Sequence, residues 1–175
     1  MCLGGIGVTG TYAANIIAKE ADLILTFGSR LSDFTTSSKW LFQNPKVEFV
    51  NINVSRFDAY KMDGLQIVAD AKLSASYLDD ELSKINYRSS YSNEILEAKS
   101  WWSEELIKLK NYNYDDPNFE PIIKLRDPRT VDEFVKLTGG TITQTSAIIA
   151  LNEFIKDNGI VITAGGSLPS DLQRL

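Results

Sequence analysis

The sequence predicts an α/β protein built on a Rossmann-like open, mostly parallel sheet. Two kinds of segment carry that reading. Leu23-Ile24-Leu25-Thr26-Phe27 and the run from Val47 to Val54 are short and apolar, the pattern of strands buried on both faces of a parallel sheet. Around them lie stretches whose apolar residues recur at helical spacing. The two patterns alternate along the first half of the chain, as strands joined by helical crossovers must.

Taken in order, Thr9 or Thr11 can cap a first helix running to about Glu20, with Tyr12, Ile16 and Ile17 at helical spacing. A strand from Asp22 to Gly28 follows at once. Residues 34 to 43 suit a short helix ending near Asn44-Pro45, Val47 to Val54 is a second strand, and Ser55 to Gly64 is a turn-rich connection. Gln66 to Ala69 makes a third strand, and Leu73 to Ile85 a helix with Leu78, Leu82 and Ile85 on one face. Glu94 to Lys110 is an amphipathic helix: Ile95, Ala98, Trp102, Leu106 and Leu109 form one stripe, and Glu104 stands four residues before Lys108. The Trp101-Trp102 pair suits stacking on a base or sugar, but one ring packed inward and one at an interdomain surface is the plainer reading.

The texture then changes. Pro117, Pro121 and Pro128 fall among Asn, Asp and Tyr, the composition of a surface linker. The expected organisation is therefore a partial central domain over 1–110, a linker over 111–138, and the beginning of a second α/β domain over 139–175. In that last part Thr141 to Asp157 is helical with Ile148, Leu151 and Ile155 on one face, Asn158-Gly159 closes it, and Ile160 to Thr163 is a buried strand. The strand runs into Ala164-Gly165-Gly166-Ser167-Leu168-Pro169 and the first turn of a further helix. The chain reads as a piece of something longer, with a sheet incomplete at its N-terminal side.

Composition excludes several chemistries. The 175 residues contain no histidine and one cysteine, Cys2, so Ser-His-Asp and Cys-His nucleophiles and imidazole acid/base catalysis are out of reach. Zinc is disfavoured for the same reason. A formal charge of −5 argues against nucleic acid, no apolar run reaches membrane-spanning length, and the first residues lack the pattern of a signal peptide. The default compartment is the cytoplasm.

Four features invite a functional reading. Gly5-Ile6-Gly7-Val8-Thr9-Gly10 matches the dinucleotide fingerprint by letter, but no strand feeds it and no acidic residue follows at the right distance. A glycine-rich helix start packed against a neighbouring domain suits it better. Gly28-Ser29-Arg30 ends a central strand, where open α/β sheets hold ligands, and Arg30 can pair with a phosphate or carboxylate or simply make a salt bridge. Gly165-Gly166-Ser167 offers backbone N–H groups at a strand-to-helix turn, suited to a phosphate yet also common in plain βα loops. The carboxylates at Asp79-Asp80-Glu81, Glu104-Glu105 and Asp115-Asp116 read as solvated charge, and no Gly-Asp-Gly occurs.

The segment from Gly4 to Asn15, with Ala21-Asp22-Leu23-Ile24, Gly28 to Thr36, Asn51-Ile52-Asn53-Val54 and Arg56 to Asp63, resembles the central domain of thiamine diphosphate enzymes. Phe57 to Asp63 and Ala164 to Leu175 together resemble one branch, whose members open the ring of trihydroxycyclohexane-1,2-dione in inositol catabolism. Acetolactate synthase and its relatives share the general pattern without that pair.

The resemblance implies three α/β domains in a complete enzyme, with thiamine diphosphate and Mg2+ as cofactors, carbon–carbon cleavage of the cyclic dione, and hydrolytic release of 5-deoxy-glucuronate. It implies that Gly166, Ser167 and Leu168 line the diphosphate loop. It places no catalytic residue and no metal ligand in this segment. Arg30 corresponds to a position that touches flavin in flavin-containing relatives, although nothing calls for flavin in this branch. The expected partners are the remaining domains and further copies of the chain, since a sheet with a bare edge recruits other strands. A stand-alone nucleotide or coenzyme module using the crevice near Gly28 and Arg30, and a purely structural assembly domain, are the other readings.

Overall fold

The computed structural model describes residues 2–117, 129–155 and 159–175. The chain divides into two compact units, Met1–Ser100 and Trp101–Leu175.

The first unit is the α/β fold that the alternating pattern predicts. Its elements are α1 (Tyr12–Glu20), β1 (Leu23–Phe27), α2 (Asp33–Thr36), β2 (Glu48–Asn53), α3 (Arg56–Ala59), a single 3-10 turn (Lys61–Asp63), β3 (Leu65–Val68) and α4 (Ala71–Lys84). The three strands form one parallel sheet in the order β1-β2-β3. The helix starts are capped as short polar side chains allow: the hydroxyl of Thr11 accepts from Ala14 N at 3.1 Å and the carboxylate of Asp70 from Leu73 N at 2.9 Å.

Register fixes the two faces of the sheet, because paired residues point to the same side. On one face Thr26 pairs with Asn51 and Asn51 with Gln66, a polar row across all three strands. Asn51 is 1% exposed; its Oδ1 accepts from the Thr26 hydroxyl at 2.9 Å and its Nδ2 donates to the Lys61 carbonyl at 2.6 Å. Phe49 packs edge-on against Phe42 on the same side, their centroids 5.1 Å apart. The other face is apolar, with Leu25, Val50, Ile52 and Ile67 beneath Leu73, Tyr77 and Leu78 of α4 around an open cavity of about 540 Å³.

Several expected details change. Only β2 is largely buried; Leu23, Leu25 and Phe27 of β1 and Leu65 and Ile67 of β3 remain exposed, because α4 leaves the apolar face partly open. The buried stripe of α1 is Ala13, Ala14 and Ala18, while Tyr12 and Ile16 turn outward, since close approach selects the small side chains. The helix expected over 34–43 is the four-residue α2; left-handed backbone at Ser37, Ser38 and Lys39 ends it. In α4, Leu78 and Leu82 face inward, but Ile85 lies past the helix end and is exposed.

The second unit holds most of α5 (Ser92–Asn111), then α6 (Thr130–Thr138), α7 (Gln144–Ile155) and α8 (Ser167–Leu172). The expected stripe of α5 faces inward, with Ala98 buried and Ile95, Trp102, Leu106 and Leu109 half-buried. Lys108 pairs with Glu105 at 3.1 Å rather than with Glu104. Trp101 stacks on Trp102, centroids 6.3 Å apart, and keeps part of its ring exposed. The Thr143 hydroxyl caps α7 by accepting from Ser146 N at 3.1 Å, the Ser146 hydroxyl donates to the Lys110 carbonyl at 2.6 Å, and Lys110 pairs with Glu153 at 2.7 Å. Ile148 is buried but Leu151 is not.

The stretch read as a linker contains α6, closed by Gly139 in left-handed conformation. Pro121, Pro128 and Asn158 lie outside the described residues. Ile160 to Thr163 forms no strand and is exposed, for want of a partner among the described residues.

Replacing Asn51 by Ala leaves a buried hydroxyl and a buried carbonyl without their partner and opens a cavity. We expect a loss of about 3 kcal/mol in the stability of the first unit. Urea unfolding followed through the amide protons of β2 measures it, and a loss below about 1 kcal/mol contradicts the role given to this side chain.

Candidate functional site

In an open parallel sheet, ligands gather beyond the carboxyl ends of the strands. Here those ends carry Gly28-Ser29-Arg30-Leu31 after β1 and Asn53 to Asp63 after β2. The two loops are bound to each other. Asn53 Nδ2 donates to the Ser29 carbonyl at 3.1 Å, and its Oδ1 accepts from Ser55 N at 2.9 Å. Lys61 reaches across to donate to the Arg30 carbonyl at 2.6 Å while its ammonium pairs with Asp58 at 2.9 Å and lies 5.3 Å from the Phe57 ring centroid. Hydrogen bonding to Lys61 holds the Asp58 carboxyl below the usual aspartate range, the Ser55 hydrogen bond and the Arg30 charge adding to it against a smaller cost of burial. Both loops contain left-handed backbone, at Gly28 and Leu31 on one side and at Met62 and Asp63 on the other. Such conformations persist only where their surroundings fix them.

Arg30 itself is exposed. Its guanidinium makes no salt bridge with the described residues, and the main chain of Arg30 is what the fold uses. The lysine that captures it stands 31 residues away in sequence, so local spacing gave no signal for it.

The Gly5-Ile6-Gly7-Val8-Thr9-Gly10 segment is a closed structural loop. Asn15 clasps it from α1, its Oδ1 accepting from Gly7 N at 2.8 Å and its Nδ2 donating to Gly7 O at 2.9 Å. Val8 N donates to Phe34 O at 2.8 Å, and Thr11 N to Gly5 O at 3.0 Å. The glycines permit close approach. A Cβ on Gly7, whose φ is +94°, would meet the Phe34 carbonyl oxygen, and one on Gly10 the backbone of Gly5 and Ile6. The loop therefore packs tightly against α2 within its own unit.

Gly166, Ser167 and Leu168 belong to the second unit, at the start of the six-residue α8. Gly166 has φ of +148°, and a Cβ on Gly165 would meet nothing within 4 Å. The N–H groups of Ser167 and Leu168 open the first helical turn, where no intrahelical acceptor exists. This open backbone fits one side of an anionic group but supplies no cation of its own. Among the described residues no three histidines, cysteines or carboxylates are placed to hold a metal ion, and no helix is long and apolar enough to cross a membrane.

Comparison with known proteins identifies the fold that carries these loops. Residues 1–78 match the thiamine pyrophosphate enzyme central domain. That match covers less than half of the chain. Over the whole chain, 175 residues are 56% identical to a 3D-(3,5/4)-trihydroxycyclohexane-1,2-dione hydrolase of Clostridium botulinum (strain Alaska E43 / Type E3). Proteins of the same name from Clostridium perfringens (strain 13 / Type A) and Bacillus thuringiensis (strain Al Hakam) are 53% and 49% identical over 173 residues. Each match covers 99% or more of this chain but 27% of the relative, so the chain spans about a quarter of the length of these proteins. The match to the central domain ends within α4, and the relatives carry the likeness through the remaining helices.

Two outcomes test this description of the loops. Gly7→Ala should cost about 3 kcal/mol, from a left-handed non-glycine residue forced against backbone, measured by thermal unfolding; a neutral change contradicts the close packing. In Lys61→Met, the Asp58 carboxyl should titrate at higher pH than in the parent, read by carboxyl-carbon NMR. A group whose pKa is depressed on folding stabilises the protein above its unfolded pKa, and that stability is lost as pH falls through its folded pKa. The variant should therefore be less stable than the parent near neutrality, with the difference shrinking as pH falls through the window below the usual aspartate range; an unmoved Asp58 titration contradicts the pairing.

Proposed function

We propose that this chain is the central segment of a cytoplasmic thiamine diphosphate-dependent hydrolase that cleaves a carbon–carbon bond to open the ring of 3D-(3,5/4)-trihydroxycyclohexane-1,2-dione, yielding 5-deoxy-glucuronate, and that it is inactive alone. The observation that carries this reading is the 56% identity to a protein of that name, sustained over all 175 residues. Thiamine diphosphate, when bound with Mg2+, supplies the nucleophilic carbon and the electron sink, so the segment can lack histidine without loss.

The residues of this chain then have positioning roles. The Gly165-Gly166 backbone and the N–H groups of Ser167 and Leu168 would donate to one edge of the diphosphate, while Mg2+ and the residues that activate the cofactor would be held by parts of the enzyme outside this segment. Arg30 faces solvent as a weaker candidate for contact with an anionic group. The bound pair of loops at the strand ends keeps the central sheet rigid beside the reacting domains. The partners are the remaining domains of the enzyme and further subunits.

A chimera tests the reading directly. In the Clostridium botulinum relative, the matching segment is exchanged for this chain, and ring opening of the dione is assayed. Retained turnover is expected; a folded chimera without activity overturns the assignment. Calorimetric titration of the isolated chain with thiamine diphosphate and Mg2+ should give no saturable heat in the micromolar range, and a saturable signal overturns the claim that the segment is inert alone.

A further inference from the structure

A series of hydrogen bonds ties the end of α5 to the start of α7, and from there to α8. The Thr143 hydroxyl donates to the Tyr112 carbonyl at 3.3 Å while it caps α7, and the Ser146 hydroxyl donates to the Lys110 carbonyl at 2.6 Å. Thr143 and Ser146 are both buried, so the first turn of α7 is held against the last residues of α5. Gln144 stands between them in sequence as the first residue of α7, and it is exposed. Its backbone is therefore fixed by its neighbours while its side chain is free to reach outward.

That side chain crosses to α8, which packs on α7. Gln144 Nε2 donates to Asp171 Oδ2 at 2.5 Å, and Asp171 Oδ1 pairs with the Arg174 guanidinium at 3.8 Å. Asp171 stands about one turn beyond Ser167. It belongs to the half-buried stretch 169–172, whereas Ser167 and Leu168 are exposed. The bond thus grips the covered side of α8 and leaves the backbone at its start open. An amide suits this place, because it satisfies a carboxylate without bringing a cation that would itself bind an anion at the loop. A hydrogen bond to an ionised group is also among the stronger ones available.

We propose that Gln144 is a positioning residue for the diphosphate loop. By holding Asp171 it fixes α8, and with it the direction in which the backbone of Gly166, Ser167 and Leu168 meets the diphosphate. The loop's ligand rests on the function proposed above, whereas the tether rests on the geometry of α7 and α8 alone. Gln144 acts through the helix and touches neither cofactor nor substrate.

Gln144→Leu removes the donor at an exposed position with little risk to folding. Gln144→Glu sets two carboxylates against each other, and adding Asp171→Asn restores a donor–acceptor pair of reversed polarity. In the full 175-residue chain, amide exchange at Gln173 and Arg174, which bond back to Pro169 and Asp171, should be faster in either single variant, unchanged in α5 and α7, and slow again in the double variant. In the Clostridium botulinum chimera carrying this chain, Gln144→Leu should raise the thiamine diphosphate concentration for half-maximal ring opening about tenfold, the loss of one hydrogen bond to a charged group. Turnover at saturating cofactor should stay within about twofold of the parent, and the double variant should recover the parent's cofactor requirement. Unchanged exchange in α8 overturns the tether. A loosened α8 with an unshifted cofactor requirement in an active chimera overturns the positioning role and leaves the proposed function standing. A folded chimera that is inactive before any substitution overturns the proposed function, and the positioning role with it.

Discussion

The first unit depends on the hydrogen bonding of one buried amide. In a sheet of three strands only the middle one has partners on both edges, and Asn51 stands near the middle of that strand, almost fully buried. A buried amide must have its bonds satisfied or it costs stability. Asn51 meets that demand by joining β1 through Thr26 and the turn before β3 through the Lys61 carbonyl. The same residue that completes the core therefore fixes where Lys61 begins, and from there its ammonium can reach the loop after β1.

That chain of contacts has a functional meaning. Loops at the carboxyl ends of parallel strands are available to ligands when their polar groups are free. Here Ser29, Asn53, Ser55, Asp58 and Lys61 are engaged with one another, and the glycine-rich loop before α1 is closed by Asn15. Polar side chains that could have served a ligand hold the framework instead. A framework of this kind suits a domain that positions reacting partners, and the absence of histidine from the sequence agrees with it.

Much of the architecture was legible in the residues because it is written in local pattern. The apolar run from Leu23 to Phe27 is β1 to the residue, Thr11 is the cap of α1, and the spacing from Ile95 to Leu109 marks the inward stripe of α5. Burial was less legible. Periodicity weights large apolar residues, so it chose Tyr12 and Ile16 where close packing chose alanines. It also read Ile160 to Thr163 as a strand, but a strand exists only when another backbone accepts its hydrogen bonds. α6 was hidden by the prolines and polar residues that precede it. The bond from Lys61 to Arg30 could not be read at all, since nothing local links positions so far apart. Of the candidate site, the loops were found from their place in the fold, whereas the means by which they are closed emerged from geometry alone.

Native-state amide exchange on the intact chain tests the central claim that these loops are a locked framework. The account predicts slowest exchange at the centre of β2, with the amides bonded inside the loops after β1 and β2, such as Leu31 N on Ser29 Oγ and Ser55 N on Asn53 Oδ1, protected above ordinary surface turns. If those loop amides instead exchange as fast as exposed turns while β2 remains protected, the loops are open, and the crevice at the strand ends is a site waiting for a ligand rather than a scaffold.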